Sequence, residues 1–211
     1  MTTKNSSVLS GQRLVPLATP QNAEHTLALR EGLLGGGLSI VEVGLRNSYA
    51  MTALVDLAAG GDLIVGAGTV LDAAQAEAAL NAGASFLVTP AYADDIIAVA
   101  QSRSVPVVPG VATATEALAA RRAGIQLVKL FPANLLGGLR LLDAFWPVFP
   151  DMAFMPSGGV TQHTLAEHLA HPAVAAVSGS WLTSNAMLER GAGAVAEAIQ
   201  ASVAIANAVP R

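Results

Sequence analysis

Short apolar runs alternate with longer segments of helical periodicity along the whole chain. The apolar runs are residues 13–18 (RLVPLA), 38–45 (LSIVEVGL), 63–65, 85–88, 106–108, the stretch around 127–131, 152–155 and 174–177. Most lack the regular polar alternation of a strand with one wet face, so they read as strands covered on both sides. Between them the chain shows helix signals. Pro20 opens a helix to about Leu34 that stops at Gly35-Gly-Gly37. Ser48 is placed to cap a helix through Ala59, closed by Gly60-Gly61, and Asp72 one that runs to Asn81. Further helices are expected over 93–102, from Thr113 or Thr115 to Ala123, over 138–145, from Thr161 to His168, and over 194–206.

Eight apolar strands alternating with eight helical segments predict an α/β fold with parallel strands, a (β/α)8 TIM barrel. A doubly wound open sheet is the competing arrangement. No linker or low-complexity tract divides the chain, so residues 1–211 are expected to form one barrel domain, with residues 1–10 as a tail or a short N-terminal helix.

Composition sharpens this picture. Only 12% of residues are charged while 53% are hydrophobic, against about 25% charged in an ordinary soluble domain, as suits strands with two buried faces. Low charge and abundant alanine also suggest surface hidden in an oligomer. No apolar run reaches the roughly 18 residues a membrane span needs. Met1 to Gln12 is polar and lacks the apolar segment of a signal peptide, which points to a cytoplasmic protein with no membrane partner. The chain has no cysteine, so disulfides and thiolate metal sites are excluded. A net charge of −4 without a basic cluster argues against nucleic acid as a partner.

The candidate chemistry centres on Lys129. The chain has two lysines, and Lys4 lies in the polar N-terminal stretch, so Lys129 is the one lysine of the body. Its neighbours Leu127, Val128, Leu130 and Phe131 are apolar. A buried ammonium without a partner is costly, and a neutral amine is a nucleophile toward carbonyls. Side chains alternate along a strand, so Glu42, Gly44 and Arg46 share one face, as do Leu127, Lys129 and Phe131. If both faces point into the barrel, Glu42 and Lys129 are within reach of each other. A structural ion pair is the plainer reading, but buried pairs seldom stabilise a fold more than apolar residues would.

Other unusual residues gather where strands are expected to end, the active face of such barrels. Gly66-Ala-Gly-Thr69 follows the third strand and Thr89-Pro90 the fourth. Ser157-Gly158-Gly159 follows the seventh strand and Ser178-Gly179-Ser180 the eighth, positions suited to holding a phosphate on backbone N–H groups and a helix N-terminus. His25, His163, His168 and His171 fall in helices or just after one and are expected at the surface. Gly66-Ala-Gly lacks the third glycine of a dinucleotide fingerprint.

Together these segments resemble the 2-keto-3-deoxy-6-phosphogluconate (KDPG) aldolase family, which includes 4-hydroxy-2-oxoglutarate (KHG) aldolases. The resemblance rests on Val41-Glu-Val-Gly-Leu-Arg46, Val65-Gly-Ala-Gly-Thr-Val70, Val88-Thr-Pro90, Val108-Pro-Gly110, Val128-Lys-Leu-Phe-Pro-Ala133, Pro156-Ser-Gly-Gly159 and Gly179-Ser-Trp181, in the family's order and spacing. It implies a metal-independent class I aldolase without a cofactor, commonly a homotrimer of (β/α)8 barrels, acting on a small 2-keto acid. Lys129 then matches the Schiff-base lysine and Glu42 the proton-shuttling carboxylate. Arg46 and Thr69 match residues holding the pyruvate-like end, and Pro90 and Phe131 residues lining the pocket. Ser180, with Gly158 and Gly159, matches the phosphate site, and Ser157 and Gly179 flank it. Three positions depart from the pattern: Ser157, where threonine is frequent, and Ser178 and Ala91, where glycine is. Arg46 favours the gluconate branch over a galactonate-specific one. Cleavage of an unphosphorylated acid such as 4-hydroxy-2-oxoglutarate, and a non-catalytic sugar-phosphate-binding barrel, are the alternatives.

Overall fold

In the computed structural model, which describes residues 8–210, strand and helix alternate from Leu14 onward except over 107–111, where one strand leads into another, and over 185–208, where one helix does. The strands are β1 (Leu14–Ala18), β2 (Ile40–Gly44), β3 (Ile64–Gly68), β4 (Phe86–Val88), β5 (Val107–Val108), β6 (Gly110–Val111), β7 (Leu127–Leu130), β8 (Ala153–Pro156) and β9 (Val177–Gly179). The helices are α1 (Ala23–Gly35), α2 (Ala50–Ala59), α3 (Ala73–Asn81), α4 (Asp94–Ser102), α5 (Ala114–Arg122), α6 (Leu139–Phe145), α7 (Leu165–Ala170), α8 (Asn185–Glu189) and α9 (Ala192–Ala208).

Every ladder is parallel. One sheet has the order β5-β4-β3-β2-β1-β9 and a second the order β6-β7-β8. The fold is therefore α/β with a curled parallel sheet, hydrogen-bonded in two pieces. Proline explains one break. Pro109 separates β5 from β6, since it has no N–H to give a ladder. Its carbonyl still accepts from Lys129 N at 2.9 Å. The expected fifth strand is thus two segments, one pairing with β4 and the other with β7.

Side-chain alternation gives each strand two apolar faces. Val15, Ile40, Phe86, Val88, Val108, Met155 and Ala176 pack with one another inside the curl. Val41, Val43, Val65 and Leu87 face outward onto Leu29, Leu33, Leu54 and Leu57 of the helices. Val128, Leu130 and Phe154 do the same against Ala117, Ala120, Leu142 and Phe145. Each such leucine or phenylalanine contributes about 1.5–3 kcal/mol by leaving water. Space inside is tight: a Cβ on Gly66 would overlap the Phe86 ring.

Local signals set several helix starts. Asp72 caps α3 by accepting from Gln75 N at 2.7 Å. Thr113, not Thr115, caps α5, because Glu116 completes a capping box with it. Other expectations need correction. Ser48 does not cap α2; Asn47 Oδ1 accepts from Tyr49 N at 2.9 Å, and the turn this makes delays the helix to Ala50. Thr161 does not start α7. Its N–H donates to Thr164 Oγ1 at 3.1 Å, so the chain turns before Leu165. The third strand continues through Gly66-Ala-Gly68, which was expected to be a loop.

The eighth strand lies later than 174–177. Val174 N still donates to His171 O, in the turn after α7, and Val174 makes only an isolated bridge to Phe154. Val177 is where the chain meets Arg13 O and β9 begins. The helix α8 was not anticipated. Of the expected tail or helix over 1–10, residues 1–7 lie outside the described residues; residues 8–11 form a turn, with Val8 and Leu9 packed on the interior cluster.

The histidines are not all superficial. His163 is exposed, but His25 is buried, because the inner face of α1 carries it beside Thr26, Leu29 and Leu33. His168 Nδ1 lies 2.8 Å from Thr164 O, and His171 Nε2 lies 3.3 Å from Asp143 Oδ1. Among the described residues no group of His, Asp and Glu is arranged to hold a metal ion, and no helix is long and apolar enough to cross a membrane.

Candidate active site

Parallel pairing puts the carboxyl ends of the strands on one side, and polar side chains converge there above the apolar interior. Glu42, third residue of β2, stands in register with Leu17 of β1 and Gly66 of β3. Lys129, third residue of β7, stands in register with Gly110 of β6 and Met155 of β8. The two side chains meet across the interior. Lys129 Nζ donates to Glu42 Oε1 at 3.1 Å and lies 3.5 Å from Oε2. Their side chains are 4% and 0% exposed. Taking such a pair out of water costs several kcal/mol per ion, offset only where the hydrogen bonds are good. Glu42 has a further donor, Ser178 Oγ, 3.1 Å from Oε2.

Gly68 makes this arrangement possible. A Cβ there would overlap Oε1 and Cγ of Glu42, so only a bare backbone leaves the carboxylate its place.

The other expected residues follow the carboxyl ends of the same set of strands. Arg46, two residues beyond β2, is exposed and donates from Nε to Thr69 Oγ1 at 2.8 Å. Thr69 follows Gly68 directly and has φ +59°, a left-handed conformation that costs a β-branched residue about 1–3 kcal/mol. That turn aims its hydroxyl at the guanidinium. Phe131, half-buried, places its ring centroid 5.6 Å from Lys129 Nζ. Pro90 is held by its neighbour: Thr89 Oγ1 donates to Ala91 O at 2.5 Å and accepts from Gly110 N at 3.3 Å.

The segment after β7 is stitched to the loop after β8. Ser157 N donates to Leu130 O at 3.0 Å, Ala133 N to Ser157 O at 2.8 Å, and Asn134 N to Gly158 O at 2.9 Å. Ser157 is buried, whereas Gly159 is exposed. Gly158 and Gly159 both take positive φ, +87° and +91°, and Gly158 lies against the Phe131 ring. Gly179 ends β9 in register with Pro16, and Ser180 beyond it is exposed. The expected helix N-terminus behind a phosphate is not adjacent, since α7 waits until Leu165 and α8 is a five-residue helix. An anion here would depend on backbone N–H groups and the Ser180 hydroxyl.

The inward hydroxyl of Ser178 escaped the sequence reading. A strand that stops at Val177 leaves Ser178 beyond its end. The signal was present: Ala176 faces the interior, and two residues on the same face returns.

Comparison with known proteins bears on the same residues. The family model described as "Aldolase: KDPG and KHG aldolase" matches residues 6–199. A 2-dehydro-3-deoxy-phosphogluconate aldolase of Pseudomonas aeruginosa is 42% identical over 180 residues, covering 85% of this chain and 82% of the relative. A crystal structure of KDPG aldolase from Legionella pneumophila, with pyruvate captured as a covalent carbinolamine intermediate, superposes with a TM-score of 0.90 at 31% identity, covering 96% of this chain and 99% of that one. The KDPG aldolase of Zymomonas mobilis with 3-phosphoglycerate gives a TM-score of 0.89 at 29% identity, covering 97% and 98%.

Proposed function

Since the chain belongs to the KDPG and KHG aldolase family, we propose that it is a class I aldolase that cleaves 2-keto-3-deoxy-6-phosphogluconate to pyruvate and glyceraldehyde 3-phosphate. The observation that carries this reading is the buried Lys129–Glu42 pair at the carboxyl ends of the strands, 3.1 Å apart above an apolar interior. An amine and a carboxylate kept together out of water form a nucleophile with its base.

The residues then divide the work. A proton on Nζ passes to Glu42 through their hydrogen bond, and the free amine adds to the C2 ketone. Glu42 hands that proton to the carbinolamine hydroxyl, which leaves as water; Glu42 is a carboxylate again and Lys129 carries an iminium, a cationic electron sink. Glu42, directly or through a water, takes the proton from the C4 hydroxyl. The C3–C4 bond breaks, its electron pair forms the enamine, and the aldehyde leaves. Glu42 returns a proton to the enamine carbon, and hydrolysis frees pyruvate and Lys129. Arg46, steadied by Thr69, offers two parallel N–H groups to the keto-acid carboxylate. Phe131 and Pro90 line the pocket. Ser157, Gly158, Gly159, Gly179 and Ser180 receive the distal phosphate. This scheme uses no cofactor, because Lys129 itself becomes the electron sink.

A second reading has one observation behind it. Neither Ser157-Gly-Gly159 nor Gly179-Ser180 contains an arginine or lysine. An aldolase for 4-hydroxy-2-oxoglutarate, or another unphosphorylated 2-keto-3-deoxy acid, would need none there and would share Lys129 and Glu42.

We read the strand segments as one eight-stranded barrel in a single domain. Support comes from β5 and β6, which run on through Pro109 from β4 to β7, and from the Phe154–Val174 bridge that leads from β8 toward β9. A homotrimer in the cytoplasm completes the proposal; exposed Leu135, Leu71 and Val148 are apolar surface that an assembly would cover.

Borohydride added with pyruvate tests the chemistry directly. A reduced pyruvyl adduct on Lys129, and release of pyruvate from the phosphorylated substrate, are expected. An unlabelled Lys129, or full turnover by Lys129→Ala, would overturn the scheme.

A further inference from the structure

We infer that Ser178 is a positioning residue for Glu42, one that keeps the carboxylate aimed through the proton-transfer steps; the inference rests on the aldolase reading above. Among the described residues two side chains donate to Glu42: Lys129 to Oε1 at 3.1 Å and Ser178 to Oε2 at 3.1 Å. Their fates in the reaction differ. Nζ becomes part of a C=N bond, so its N–H bonds and its geometry change at every step. The Ser178 hydroxyl takes no part in bond making. While Lys129 is tied to substrate, Ser178 is the partner that stays.

The surroundings make it a firm one. Ser178 is fully buried, and its backbone is locked in β9 in register with Val15. The segment that follows is tied to β1 by Thr183 Oγ1, which donates to Leu17 O at 2.8 Å. With Oε2 held by Ser178, Oε1 faces Lys129 and Gly68 and is the oxygen left to carry the proton. A hydroxyl that merely satisfied a buried acid would serve folding alone. A hydroxyl that aims the acid affects proton transfer more than imine formation.

Two assays separate these steps without the full substrate. Borohydride trapping of pyruvate reads imine formation at Lys129. Exchange of the pyruvate methyl protons in D2O, followed by NMR, reads the next step. There the C3–H bond breaks, its electron pair moves into the enamine, the proton goes to Glu42, and a deuteron returns from the exchanged carboxyl. In Ser178→Ala, trapping should stay near the unmutated rate, while exchange and kcat fall between about 10-fold and 100-fold, the range for losing a hydrogen bond to a charged group. KM should hold, because Ser178 sits behind Glu42. Ser178→Gly should give the same split, which assigns the defect to the hydroxyl rather than to lost volume. Unchanged exchange, or an equal fall in trapping and exchange together with a lower melting temperature, would overturn the inference. No trapping at Lys129 in the unmutated protein would instead sink the aldolase reading itself.

Discussion

The carboxylate of Glu42 occupies the space that a Cβ on Gly68 would need. The two residues sit on neighbouring strands, and Oε1 and Cγ of Glu42 lie where the methyl of an alanine would go. The acid is fixed on this side by the absence of a side chain and on the other by Lys129 and Ser178.

Gly68→Ala therefore tests the placement of Glu42 without altering its chemistry. The added methyl must push the carboxylate aside and stretch its bond to Lys129. Activity should fall about 100-fold, the scale of loss for a displacement of an ångström or so, with a folded circular-dichroism spectrum. Near-normal turnover would mean that the position of Glu42 is not critical.

Glu42→Gln keeps the shape and removes the base. As a general acid–base its loss should lower kcat by about 10²–10⁴-fold, while slow trapping of pyruvate on Lys129 continues. A variant that turns over normally would leave Glu42 a structural partner and require another base.

Thr69→Gly separates strain from function. Glycine adopts φ +59° freely, so the melting temperature should not fall, and relief of strain favours a rise. The variant also loses the hydroxyl that receives Arg46 Nε. KM for the keto acid should rise several-fold, as expected for one lost hydrogen bond of about 1 kcal/mol. A large loss of stability with unchanged KM would contradict this role.

Ser180→Ala bears on substrate choice. A phosphate held by Ser157-Gly-Gly159 and Gly179-Ser180 would have neutral donors only, so preference for the phosphorylated substrate should be modest and appear mainly in KM, with measurable cleavage of unphosphorylated analogues. Removing the hydroxyl should narrow the kcat/KM gap about 10-fold, the low end for a hydrogen bond to a charged group because Ser180 is exposed. Equal kcat/KM for both substrates in the unmutated protein would favour the hydroxy-oxoglutarate reading.

Glu116 gives a test of stability rather than catalysis. Burial works to raise its carboxyl, but hydrogen bonds from Ala112 N, the Thr113 hydroxyl and Thr113 N outweigh burial and hold it below the ordinary 4.5. A group lowered in the folded state stabilises it above the unfolded value and ceases to do so as pH falls through the folded one. Glu116→Ala should cost about 1 kcal/mol at neutral pH, the usual worth of a helix cap. Denaturant melts should show that difference shrinking once the pH drops below 4.5. A pH-independent difference would refute the capping role.

Much of this protein is legible locally. Apolar strands without alternation, Asp72 and Thr113 before helices, and Pro109 after an apolar pair are signals carried by a few neighbouring residues. The same holds for Lys129, a lone body lysine between Leu127 and Phe131, and for the inward face of Glu42, which follows from counting by twos along β2. Boundaries were less secure, because Asn47 and Thr164 offered competing hydrogen bonds that moved two helix starts.

What only the tertiary structure decided is register. Lys129 and Glu42 stand 87 residues apart, and Ser178 and Glu42 stand 136 apart. Alternation tells which face a side chain takes, but not its height along the sheet. That height is set by hydrogen-bonded pairing along the sheet, from Leu17↔Glu42 to Val15↔Ser178. The left-handed turn at Thr69 is of the same kind. Its local cost is met because the chain on both sides is already held, and the Arg46 contact exists only once β2 and β3 are paired.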